Sequence, residues 1–413
     1  MTLPQIRTYI RPDQSFVVGG NLTLGSTALG PSALLGPAIA AFYEITSLVQ
    51  SVAVRRGRTR VTDSFDAGTC SVTLFDSAGV FNPDNGSSPL VGYVKPLRQF
   101  RVTATVDGTE YILFAGFTDA YSYTYETGVG ASLVTIEATD AFRLLNLATI
   151  STVTGSAVGQ DTGTRIGKIL DTVSFATSQR DLETGISTLA ADPGSQRSAL
   201  AALQVCEQTE LGAFYISSEG KATFRNRHTL QQLAAGGVVA PLIFNETSGI
   251  RFENIGQRFD EQQIANDVTV STATGATQTA TDSSSIDAFF RRSLAISETL
   301  IQTTTEATDY AAFILTARKE PVVTIDSIVV NAQAISAGSL STILDSDLLV
   351  PITVSKTYGS GSVTRTLTLQ AISHTITPGG WRIDLTTAEP ISGDGFILDS
   401  STFGVLDTNY LSF

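Results

Sequence analysis

Two cysteines, two histidines, one tryptophan and a lone methionine at position 1 among 413 residues remove several chemistries at the outset. Cys70 falls in an alternating, strand-like run and Cys206 on the apolar face of a helical segment. Both read as small buried hydrophobes, and no disulfide framework or CxxC metal site follows. His228 and His374 sit in different regions, yet a two-histidine metal centre would need both. The sequence has no GxSxG, no phosphate-binding loop, no HExxH and no strand-borne GxGxxG. No catalytic residue, cofactor or metal ligand is therefore assigned, and a non-enzymatic chain is expected. Long hydrophobic runs are also missing. Residues 1–7 lack the apolar core of a secretion signal. The longest apolar stretch, 29–42, is broken by Gly30, Pro31, Gly36 and Pro37, too short and too interrupted for a bilayer. It reads as a Gly/Pro loop or as an apolar arm, 18–40, that docks on a neighbouring subunit.

Positive charge is scarce as well. Asp and Glu number 39 against 26 Lys and Arg, a net charge of −13, so general attraction to phosphate backbones or anionic membranes is excluded. An acidic surface past which DNA slides without sticking has the same sign. The one conspicuous basic run is Arg55-Arg56-Gly57-Arg58-Thr59-Arg60. Four arginines at the end of a strand are expected to meet carboxylates at a turn or subunit contact, the sharper alternative being a phosphate-binding patch.

What remains is abundant Thr, Ser, Val and Gly, with 42% hydrophobic and 16% charged residues, enough to fill real cores and inclined towards pleated sheet. The length suggests two or three domains. Strand follows strand over 43–140: Val49, Val52 and Val54, then Cys70, Val72 and Leu74 alternating with polar neighbours, then Phe100, Val102, Ala104 and Val106 before a tight turn at Asp107-Gly108. The turn formers of 76–86 include carboxylates, but not at the alternate spacing of a calcium loop, so a turn is expected there. Ile166, Ile169, Leu170 and Val173 mark one face of a helix, and Ala199, Leu203 and Cys206 mark another with Ser195 or Ser198 as its cap. A hairpin follows through Ala213-Phe214-Tyr215-Ile216, a turn at Ser218-Glu219-Gly220, and Ala222-Thr223-Phe224. The Thr/Ser/Ala-rich run 272–285 reads as an exposed loop, 306–319 as a helix, and strands return over 322–330, 352–356, 363–373 and 381–387. The fold expected is mainly β with an α+β insert: two small β-barrels, 1–150 and 246–390, around a middle α+β domain, 151–245, with a docking tail at 391–413.

Partner-facing candidates are the arginines Arg55, Arg56, Arg58 and Arg60, the aromatic residues Phe396, Phe403, Tyr410 and Phe413 of the tail, which cover one another poorly, and Tyr121, Tyr123 and Tyr125. The three tyrosines alternate on one strand face, either as a packed or interface face or as a platform for carbohydrate.

Several stretches, in order, resemble minor tail proteins of long-tailed phages. Asp66-Ala67-Gly68-Thr69-Cys70-Ser71-Val72-Thr73-Leu74 followed by Phe81-Asn82-Pro83 is similar to that family's first β domain. Lys95-Pro96-Leu97-Arg98, Phe114-Ala115-Gly116-Phe117-Thr118-Asp119 and Ile136-Glu137-Ala138-Thr139-Asp140 continue the pattern. Gly220 to Arg227 looks like its hairpin, and Trp381-Arg382-Ile383-Asp384-Leu385 and Phe403-Gly404-Val405-Leu406-Asp407 look like its closing strand and tail. The resemblance implies a tail-tip or baseplate hub: a homotrimer whose two barrels mimic the six-fold tail tube, close it, and pass genomic DNA during ejection. It implies as partners the tail tube or distal tail protein, the tape measure protein and receptor-binding fibres, in a virion assembled in the bacterial cytoplasm. The 22–37 insertion has no counterpart in the pattern, and no C-terminal extension resembling a fibre or lysozyme-like domain is seen, so receptor binding and wall hydrolysis are not expected of this chain.

Overall fold

A computed structural model describes residues 5–11, 42–61, 63–125, 132–234, 239–259, 261–359 and 361–390. The arm 18–40 and the aromatic tail residues Phe396, Phe403, Tyr410 and Phe413 lie outside the described residues. The chain is mainly β, and its dominant feature is one 13-stranded sheet to which both strand-rich regions contribute.

The alternation read from sequence sets the faces of this sheet. Asp66–Phe75 buries Cys70, Val72 and Leu74, and Gln99–Val106 buries Phe100, Val102, Ala104 and Val106. Asp107 and Gly108 both take positive φ, 48° and 84°, as a two-residue hairpin turn requires. That turn carries the chain into Thr109–Tyr125, a strand of 17 residues that pairs with Gln99–Val106 on one side and Ser132–Thr139 on the other. Val49–Gly57, Asp66–Phe75, Ser132–Thr139, Thr109–Tyr125, Gln99–Val106 and Gln5–Ile10 thus lie side by side. In the second strand-rich region Asn254–Arg258, Thr324–Asn331, Gly380–Ala388 and Gly361–Thr377 run in that spatial order. Pro351–Tyr358 pairs with the first half of Gly361–Thr377.

The two regions join edge to edge. Residues 371–376 pair antiparallel with 52–57, from Ala371 opposite Gly57 to Ile376 opposite Val52. A single apolar cluster then runs through Val52 and Val72 of the first region, Ile166 and Leu203 of the middle one, and Ile372 and Ile383 of the last. Among the described residues no barrel closes on itself; the strands form open, mainly antiparallel sheets.

The middle segment carries helices Thr162–Thr172 and Ala199–Glu210 on a three-stranded sheet of Arg180–Leu182, Ala222–Arg225 and Ala213–Ile216. Ile166, Ile169 and Leu170 are buried as expected, and the Ser198 side chain caps the second helix by accepting from the Ala201 N–H at 3.1 Å. The run 272–285, expected as a loop, instead contains the strand Thr277–Thr281, paired to Asp267–Ser271, and the start of the helix Ser283–Phe289. Its strand is an exposed edge covered on one face only, so polar β-branched residues fill it and the composition imitates a loop. With Ser293–Ile296 and the helix Thr304–Arg318 it forms a small unit with its own apolar cluster around Val268, Val270, Tyr310 and Ile314. Among the described residues no helix is long and apolar enough to cross a membrane.

Candidate assembly interface

The strand period divides the basic run. Val52, Val54 and Arg56 lie on the inward face of Val49–Gly57, so Arg56 is carried into the interior along with the valines. Its Nη1 donates to Asp347 Oδ1 at 2.8 Å, tying the first region to the last. Arg58 is 5% exposed. It donates from Nε to Gln370 Oε1 at 2.8 Å and from Nη1 to the Asp63 carbonyl at 3.0 Å, with its guanidinium 4.4 Å from the Phe65 ring centroid. Burial lowers its pKa to about 10, against the pull of nearby Glu207. Arg56 and Arg58 therefore join parts of one chain and are unavailable to a partner. Arg55 and Arg60 remain at the surface: Arg55 donates to Thr59 Oγ1 at 3.1 Å and faces Asp66 at 3.6 Å, while Arg60 reaches Gln262 at 3.3 Å.

Two buried carboxylates flank these arginines. Asp140 accepts from the Gly68 and Phe142 N–H groups at 2.6 and 2.9 Å, yet burial raises its pKa to about 7. Glu207 Oε1 accepts from the Phe214 N–H at 3.1 Å, and burial likewise raises its pKa to about 7. Each accepts from backbone donors at a chain crossing, and Glu207 also borders a cavity. His374 lies on the joining strand, accepts from Trp381 Nε1 at 3.3 Å, and is held neutral by burial, its pKa falling to about 3. Asp76 spends both oxygens on the Val80 and Phe81 N–H groups at 2.7 and 2.8 Å, the work of a turn carboxylate. Among the described residues no group of three or more His, Cys, Asp or Glu could hold a metal.

The tyrosines face the core side of the sheet. Tyr121 sits opposite Ile136 and Tyr123 opposite Val134. Their hydroxyls donate to the Lys95 and Phe81 carbonyls at 3.2 and 3.0 Å, pinning the 76–97 loop over the sheet. Burial raises the Tyr121 pKa to about 12. Tyr125, 62% exposed and stacked on Tyr123 at 6.3 Å, is the one with a free face.

Sequence reasoning missed two features. The opposite face of the joined sheet is mostly Ser, Thr and Ala, with one arginine and one glutamate, in cross-strand rows Ser373–Arg55–Thr69–Thr139 and Thr375–Ala53–Ser71–Glu137. These rows line a shallow groove of about 440 Å³ across the join. The alternation of Ser and Thr in each strand was readable, but which strands stand side by side was not. The second feature is the pair of open edges. Asn254–Arg258 pairs on one side only, and residues 5–7 of Gln5–Ile10 face no strand on their outer side among the described residues.

The sequence matches no protein-family model and no curated protein. In fold it is similar to the 43 kDa tail protein of prophage MuSo2 from Shewanella oneidensis, with a TM-score of 0.52, 12% identity, and coverage of 85% of this chain and 96% of that one. It is likewise similar to a tail protein from Neisseria meningitidis MC58, with a TM-score of 0.55, 10% identity, and coverage of 94% and 97%. The fold is thus that of these two tail proteins, over nearly the whole length of each of them and most of this chain.

Proposed function

We propose that this chain is a structural subunit of a phage tail and serves, without catalysis, as the hub of its tip. The carrying observation is the join itself: two antiparallel β regions of one chain continue as a single sheet through residues 52–57 and 371–376. In the proposed ring each β region stands as one barrel-like wall unit. The same kind of edge pairing repeats between copies, the Asn254–Arg258 edge of one meeting the Gln5–Ile10 edge of the next. Such head-to-tail contacts close into a ring and cover edges that would otherwise invite aggregation. Three copies supply six wall units, which adapts a six-fold tube to a three-fold tip.

The polar face lines the lumen in this reading. Rows of Ser and Thr, with the single cation Arg55 offset by Glu137, let DNA pass without much counterion-release binding. Tail tube or distal tail protein, tape measure protein and fibres are the partners, met through Arg60, Tyr125 and the tail residues Phe403, Tyr410 and Phe413. A carbohydrate platform has less support, because Tyr121 and Tyr123 already give their hydroxyls to the 76–97 loop. Negative-stain averages of the purified chain, alone and with tail-tube protein, test the hub. Three-fold rings with a central hole are expected in at least one sample; solid, asymmetric particles in both contradict it.

A further inference from the structure

A cavity of about 250 Å³ opens where the 58–64 loop, the end of helix Ala199–Glu210, helix Arg227–Ala234, strand Ser293–Ile296 and helix Thr304–Arg318 meet. Its wall is largely apolar, with Leu211, Leu230, Leu294, Ile296, Ile314 and Leu349. Among the described residues the ionic groups at the wall are Arg58 and Arg227 with Asp63 and Glu207. The apolar remainder of the wall suits an uncharged apolar group.

Pro390 lines the same cavity. Residues 391–413 therefore set out from its rim. They begin Ile391-Ser392-Gly393-Asp394-Gly395-Phe396-Ile397-Leu398, an apolar triplet behind a short glycine-containing spacer. Six residues of extended chain reach about 20 Å, ample to bring Phe396 into a cavity at which the spacer starts. Tethering also gives the triplet an effective concentration of about millimolar at this one site, above that of the same segment from any separate molecule.

We propose that the cavity is the intramolecular seat of the Phe396-Ile397-Leu398 triplet, which fastens the C-terminal segment onto the junction of the middle segment and the 264–318 unit. The claim stands apart from the hub reading. Residues beyond the triplet stay available to partners, while the triplet itself is a self-docking anchor.

The test uses the full-length chain carrying Phe396→Asp and Ile397→Asp, whose cavity is vacated, and a fluorescent peptide of residues 391–413 with the natural sequence. The peptide should bind this variant and fail to bind the unaltered chain, whose own triplet occupies the seat. Adding Leu230→Glu, at a half-buried position on the cavity wall, should weaken peptide binding by about tenfold or more. An uncharged solvatochromic dye such as Nile red should brighten several-fold on the two-aspartate variant relative to the unaltered chain. Equal peptide binding to both chains, binding to neither, or binding indifferent to Leu230→Glu overturns the proposal. So does a two-aspartate variant whose solution mass drops from oligomer to monomer with no rise in dye fluorescence, because the triplet then docks on a neighbouring copy. A chain monomeric in every form that still shows the peptide and dye pattern upholds the anchor and removes the hub.

Discussion

At the scale of single residues, the electrostatics of the chain crossing make two predictions. Arg58 and Glu207 are both buried and each is the main counter-charge of the other. Removing one partner strands the other: Arg58→Ala should cost about 3–5 kcal/mol in denaturant unfolding, whereas Arg58→Met with Glu207→Leu should recover much of that loss. A double variant no better than the single one contradicts the pairing. The second prediction concerns pH. Asp140 and Glu207 have folded-state pKa values raised to about 7, above the usual carboxylate range near 4. Their stabilising contribution is thus full below about pH 4 and lost as pH rises through about 7. His374, lowered to about 3, works the other way, its contribution present above about 6.5 and lost as pH falls towards 3. The lowered carboxylates Asp161, Asp181, Asp267, Asp282 and Glu246 act only below the ordinary carboxylate range. Three raised carboxylates, Asp140, Glu207 and Glu389, against one lowered histidine should make the melting temperature rise as pH is taken from about 8 to about 5.5; a steady fall over that window contradicts the assignment. The arginine run shows what was legible at this scale. Its composition was plain, and carboxylate partners were expected; Arg55 and Arg56 face Asp66 and Asp347, while Arg58 and Arg60 reach Gln370 and Gln262. That Asp347 and Gln370 are the partners depends on contacts 291 and 312 residues away, which no local pattern encodes.

At the scale of elements, alternation carried most of the reading. Where one face of a strand is buried, as at Cys70, Val72 and Leu74, the period of two is visible and the strand is found. Where a strand is a polar edge, as at Thr277–Thr281, the signal vanishes into the composition of a loop. The join between the β regions was invisible for a different reason: pairing of distant strands is a tertiary choice. One residue in it is nonetheless diagnostic. Gly57 has φ +112°, and a Cβ there would lie 2.2 Å from the Gln370 carbonyl oxygen. Gly57→Val should therefore open the 52–57/371–376 pairing, lower the melting temperature by many degrees and expose 371–376 to hydrogen exchange. Protection left intact in that segment would show that the pairing does not hold the two regions together. The opposite face makes a gain-of-function prediction. Ser71→Lys with Thr375→Lys places two cations on exposed or half-buried positions of the polar rows, so stability should change by less than about 0.5 kcal/mol each. The variant should bind duplex DNA at low salt where the unaltered chain does not, and lose it as salt rises. Unchanged stability with no DNA binding by the assembled ring would place that face away from the DNA path.

At the scale of the whole molecule, the fold is that of two tail proteins matched along nearly their full lengths, and the proposed hub rests on the continuous sheet, whose end strands are open among the described residues. The mainly β character with an α+β insert was legible from composition and periodicity. The intimacy of the parts was not, because one apolar cluster spans strands and helices from positions 10 to 385. The measurement that tests the central claim most directly is the solution mass of the purified chain, by light scattering coupled to size exclusion. The hub account predicts a mass three times that of the monomer, either for the chain alone or once the distal tail protein is added. A monomer under both conditions would contradict it.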